Sequence, residues 1–79
     1  MTKDELLRYV SDNNVDLKKY DIIIGERSAT PYAVGCYEEA GVWTFYYAVG
    51  EDKRSFIVKE GTEEEVCEYM FLKIGEKIR

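Results

Sequence analysis

The chain has 79 residues, of which 46% are hydrophobic and 14% aromatic. That is enough apolar surface for one core and too little length for two, which excludes a disordered chain and a two-domain one. Its 16 acids and 11 bases leave a net charge of -5, which opposes phosphate backbones and anionic lipid; nucleic acid and membrane are therefore not expected as partners.

Thr2 and Glu5 stand at capping-box spacing, followed by Leu6, Leu7 and Val10 at helical spacing. This predicts a helix over residues 3–13, ending where Asn13 and Asn14 favour a turn. Residues 20–24 form a short β-prone run closed by Gly25 and are a candidate edge strand. Residues 25–31 carry Gly, Ser, Thr and the sole proline and read as a loop. Residues 32–38, 42–49 and 54–60 then read as three strands, each rich in aromatic and β-branched side chains.

The three strands can share one buried face if both connecting turns have an even length. Val34 and Phe56 then face Tyr47, Cys36 and Val58 face Phe45, and Val49 faces Arg54 across a four-residue loop at 50–53. A three-residue loop at 39–41 would instead put Thr44 and Tyr46 beside Val34 and Cys36. The even register is the expectation, and it predicts a core of Val34, Cys36, Phe45, Tyr47, Phe56, Val58, Val66, Met70 and Ile74. Thr62 and Glu65 form a second capping-box spacing, with Glu63 and Glu64 in the first turn and Val66, Met70, Ile74 and Ile78 recurring every four residues. This is the strongest helical signal in the chain. The expected architecture is a single α+β domain over residues 1–79. It comprises a three-stranded antiparallel meander, open to a fourth short edge strand at residues 20–24, with N- and C-terminal helices packed on one face.

No residues at motif spacing supply catalysis. The chain has no histidine, which removes the usual general base and most zinc sites. Cys36 and Cys67 each sit inside an apolar pattern and read as reduced, buried thiols. Neither Gly-x-Gly-x-x-Gly nor a P-loop occurs. The order of helix, three strands and helix also matches the double-stranded RNA-binding fold, but the last helix opens on acids rather than the lysines that fold uses to hold phosphate. The expectation is a binding protein and not an enzyme, with no cofactor and no metal. The N-terminus lacks a signal-peptide pattern and no run approaches about 20 apolar residues, so a cytoplasmic location is expected.

From Gly41 onward, about half of the chain, the sequence resembles the small α+β immunity proteins that neutralise bacterial polymorphic or contact-dependent toxins. The residues that carry the resemblance are Gly41, Val42, Trp43, Thr44, Phe45 and Tyr46, the charged stretch from Glu51 to Arg54, Phe56, and Glu64, Glu65, Val66, Cys67, Glu68 and Tyr69. It departs from the family at residues 50–54, where a Glu-Arg-Gly turn is usual, and at Val66, where alanine is usual. The resemblance implies stoichiometric binding to a cognate toxin domain, of a basic nuclease kind, and requires no cofactor. The alternative is a cytoplasmic regulatory or adaptor module that inserts its sheet face or edge into a larger protein, which an exposed edge at residues 22–24 would favour through strand addition.

Glu63, Glu64 and Glu65 already serve a helix start, whereas Glu38, Glu39, Glu51 and Asp52 have no local task. The two hairpin ends lie at opposite ends of the central strand and cannot form one patch. The end expected to bind a protein partner comprises Tyr37, Glu38, Glu39, Thr44 and Tyr46, an aromatic anchor beside rim acids. The oligomeric state is left open.

Overall fold

Two capped helices and a sheet follow from the chain order, and a computed structural model describes residues 1–28, 30–49 and 54–78. Helix α1 (Lys3–Asp12) opens on a capping box: Thr2 Oγ1 accepts from Glu5 N, and Thr2 N donates to Glu5 Oε1 at 2.9 Å. It buries Leu6 and Val10 and stops before Asn14, which takes φ 52. Helix α2 (Glu63–Lys77) repeats the device with Thr62 and Glu65 and buries Val66, Cys67, Met70 and Ile74. The helices meet edge to face at Tyr9 and Phe71, whose ring centroids are 4.7 Å apart.

Four strands make the sheet: β1 (Ile22–Ile24), β2 (Val34–Glu39), β3 (Val42–Val49) and β4 (Arg54–Gly61), side by side in chain order. The last three are the expected antiparallel meander. The first joins it in the opposite sense, because Ile22 to Ile24 pair parallel with Val34 to Cys36. The protein is thus α+β with a mixed, four-stranded sheet, rather than a meander with an optional appendage. A parallel neighbour needs a crossover, which lies between β1 and β2, and its described residues contain no helix.

The β2–β3 turn has two residues, Ala40 and Gly41, at φ 52 and 82. Positive φ at both positions matches the right-handed twist of the flanking strands. Glu39 therefore pairs with Val42, and the expected pairs Val34 with Tyr47 and Cys36 with Phe45 are present. On the other side Tyr47 pairs with Phe56 and Val49 with Arg54, while the predicted loop at 50–53 lies outside the described residues. Between Phe45 and Tyr46 the register then shifts: Tyr46 faces Ile57 but Phe45 faces Lys59. The expected Phe45 and Val58 pair is thereby corrected, since Val58 is the extra residue of a β-bulge.

The core joins Leu6 and Val10 of α1, Ile22 of β1, Val34, Cys36 and Phe45 of the sheet, and Val66, Cys67, Met70 and Ile74 of α2. Tyr47, Phe56 and Val58, expected within it, are 38%, 59% and 49% exposed. Their side of the strands is as predicted; what is missing is a cover. Helix α1 packs on α2 and reaches the β1 side, where Lys3 lies against Gly25, so no second helix reaches the β4 corner.

The opposite face holds the other departure. Tyr46 is 1% exposed and Thr44 6%, although neither points toward the helices. The crossover covers that end of the sheet: Tyr46 Oη donates to Glu26 O and accepts from Ser28 N, both at 2.9 Å. Beneath the ring lies Gly35, where a Cβ would stand 2.7 Å from Ile23 O and from the Tyr46 phenol. A backbone oxygen cannot swing aside, so Gly35→Ala should destabilise the fold by about 1–3 kcal/mol. An unchanged chemical denaturation midpoint would show that the ring does not pack on this strand.

Candidate functional site

Beyond the crossover, the face away from the helices is uncovered. There Tyr37, Glu39, Ala40, Val42, Thr44, Ile57 and Glu60 line a shallow depression of about 370 Å³. Alternation along each strand brings them together: Tyr37 is the cross-strand partner of Thr44, and Glu60 is the partner of Thr44 on its other side. Val42 and Ile57 are 44% and 57% exposed, so the depression presents aliphatic surface between two carboxylates. No basic side chain is among its lining residues.

The expected site is partly assembled. Tyr37, Glu39 and Thr44 contribute to the depression. Glu38 does not, since it alternates onto the helix side opposite Trp43, and its Oε1 accepts from Gly41 N at 3.1 Å, bracing the turn. Tyr46 is not an exposed anchor. Its ring stands 5.6 Å from that of Tyr37 at a 57° tilt, closing one wall from within. Glu51 and Asp52, at the other hairpin end, lie outside the described residues.

Glu60 is the residue that sequence reasoning missed. In an unshifted register its carboxylate would stand opposite Trp43 on the helix side. The bulge puts Gly61 opposite Trp43 instead, sending Glu60 to the open face and Lys59 toward the helices. A carboxylate beside a half-buried indole would be a conflict, and one inserted residue resolves it.

Cys36 and Cys67 are both free and buried. Burial raises the Cys36 thiol above its ordinary value, against the opposing influence of the Gly25 amide. Burial pushes Cys67 up to about 11, and it raises the Tyr46 phenol as well, which the Ser28 amide partly offsets. Among the described residues no group of three or more His, Cys, Asp or Glu side chains is placed to hold a metal ion. No helix among them is long and apolar enough to cross a membrane. No protein-family model, curated protein or solved structure matches the chain.

Two consequences can be measured. A thiol whose folded pKa lies above its unfolded 9.0 keeps its proton longer in the native state, so its contribution is complete below pH 9 and is lost as pH rises toward about 11. Thermal stability should therefore fall across that interval, and Cys67→Ala should flatten the fall; an unchanged slope in the variant would refute the assignment. Tyr46→Phe should cost about 1–2 kcal/mol, because Ser28 N–H and Glu26 C=O lose their buried partner. Amide exchange at Ser28 should rise with it.

Proposed function

We propose that this chain is a stoichiometric protein inhibitor, an immunity protein that covers a basic toxin domain with the face lined by Tyr37, Glu39, Val42, Thr44, Ile57 and Glu60. The observation that supports it most is the composition of that depression: exposed aliphatic side chains flanked by two acids, with no base among the lining residues. An apolar patch excludes water and contributes most of the holding energy, while uncompensated acids at its rim accelerate approach of a cationic partner. The net charge of -5 adds a field of the same sign. The resemblance from Gly41 onward supplies the toxin-neutralising role. Inhibition by occlusion draws on shape and charge and has no chemical step.

An exposed edge at residues 22–24 would favour the adaptor alternative through strand addition. There Ile22 is buried, and its amide already donates to Leu17 O at 2.9 Å, leaving that three-residue edge little to offer.

The test is co-expression with the toxin domain encoded beside the gene for this chain, with growth as the readout. Rescue by the wild type, and its loss in Glu39→Lys with Glu60→Lys, is the expected pattern. Measured on purified proteins, the double reversal should slow association by about tenfold at low salt and much less at high salt. Ile57→Ala should chiefly speed dissociation. Absence of a toxic neighbour, or rescue and rates indifferent to these changes, would remove this reading.

A further inference from the structure

The outer edge of β4 presents an arrangement that shares only Ile57 with the proposed inhibitory face. This strand ends the sheet, and among the described residues none of its backbone groups bonds to anything beyond β3 apart from the turn into α2. Phe56, Ile57 and Val58 follow one another along it, 59%, 57% and 49% exposed. Natural edge strands are usually short, charged or covered, because an open apolar edge templates pairing. Here the edge is eight residues long and apolar at its centre.

The two faces of the strand identify the kind of surface that could cover it. Phe56 pairs with Tyr47 on the helix side, and Val58 lines a depression of about 270 Å³ there with Val34, Phe45, Tyr47, Tyr69 and Lys73. Ile57 pairs with Tyr46 on the opposite side. A partner laid on one face would leave the other wet. A strand in the plane of the sheet covers both at once and takes up the free amides and carbonyls as well.

We propose that this strand belongs to a second copy of the chain, with β4 pairing antiparallel to β4 about a two-fold axis at Phe56 to Val58. Three observations favour a copy over another protein. Under that axis each exposed apolar side chain meets an apolar one on its own face: Phe56 meets Val58 and Ile57 meets Ile57. The contact is isologous and closes on itself, whereas β4 against β1 would propagate into fibres. The charge also permits it: although the chain carries -5, β4 holds Lys59 as well as Glu60, so two copies approach at this edge with less repulsion than at the acidic depression or the start of α2. The bulge at Val58 interrupts the regular edge and limits the ladder to the strand centre. So short a contact buries less than the roughly 1,600 Å² of a stable complex, and the dimer is concentration-dependent.

Sedimentation velocity and crosslinking of the purified full chain test this without any partner. The weight-average mass should rise from 9.2 kDa toward twice that value as concentration increases. Ile57→Lys, exposed and therefore compatible with folding by circular dichroism, should raise the dissociation constant by about tenfold or more. In an otherwise wild-type chain, Ile57→Cys should form a disulfide-linked dimer under mild oxidation, while Lys18→Cys, near the far edge, should not; Cys36 and Cys67 are buried and remain silent. A monomer at every concentration, or a dimer indifferent to Ile57→Lys and to the position of the cysteine, would overturn the proposal. Sedimentation and crosslinking read self-association with no toxin present, whereas Glu39→Lys with Glu60→Lys in the growth assay reads toxin binding at residues outside the Phe56 to Val58 contact, so either proposal can fail alone.

Discussion

The Tyr46 hydroxyl is the contact on which the layout of this small protein turns. Through Ser28 N and Glu26 O it fastens the crossover between β1 and β2 to the face away from the helices. A parallel pair cannot be joined by a tight turn, so β1 can lie beside β2 only if residues 25–33 find somewhere to run. Glu26 and Ser28 run over the sheet there, and the tyrosine gives the Glu26 carbonyl and the Ser28 amide a partner. Gly35 is the complementary requirement, since only a residue without a Cβ leaves room for the ring against Ile23 O. The crossover also decides what remains exposed. It covers one end of the face and leaves the other, where Tyr37, Thr44, Ile57 and Glu60 gather.

The bulge at Val58 is the second determinant, and it acts by parity. Before it, β4 alternates in step with β3; after it, Lys59 faces the helix side and Glu60 the open side. One inserted residue therefore converts a mixed rim into an acidic one. It also interrupts β4 as a pairing edge, confining the regular apolar stretch to three residues. The charge of the depression and the reach of the edge have a single cause.

Much of the local structure was legible because local rules decide it. Thr2 with Glu5 and Thr62 with Glu65 announced both helix starts, and the period of Val66, Met70 and Ile74 fixed the buried stripe of α2. Evenness of the β2–β3 turn followed from alternation alone, although Ala40 at positive φ carries no glycine signature. What escaped depends on distance. The parallel sense of β1 is set by a crossover whose anchor, Tyr46, lies well beyond it in sequence. Alternation placed Tyr47, Phe56 and Val58 on the helix side correctly, but a binary pattern cannot say how far two short helices extend over a sheet. For the candidate site, Tyr37, Glu39 and Thr44 were reachable by alternation. Glu60 required the bulge, and the burial of Tyr46 required the crossover.

Ile57 joins the two proposed surfaces. It forms part of the acidic depression on the open face and stands at the centre of the β4 edge. A strand added at that edge would flank the depression and shelter a side chain that the proposed inhibitory contact uses. Occupation of either surface then disfavours the other, and by thermodynamic reciprocity each weakens the other by the same factor. If both proposals hold, a weak dimer would give way to a tight heterologous complex, because dissociation of the copy costs little beside the energy of a well-anchored partner. Self-pairing would shield an apolar edge while no partner is present and release it when one arrives. The bulge already shortens that edge, and self-pairing would shield the exposed apolar residues that the bulge leaves at its centre.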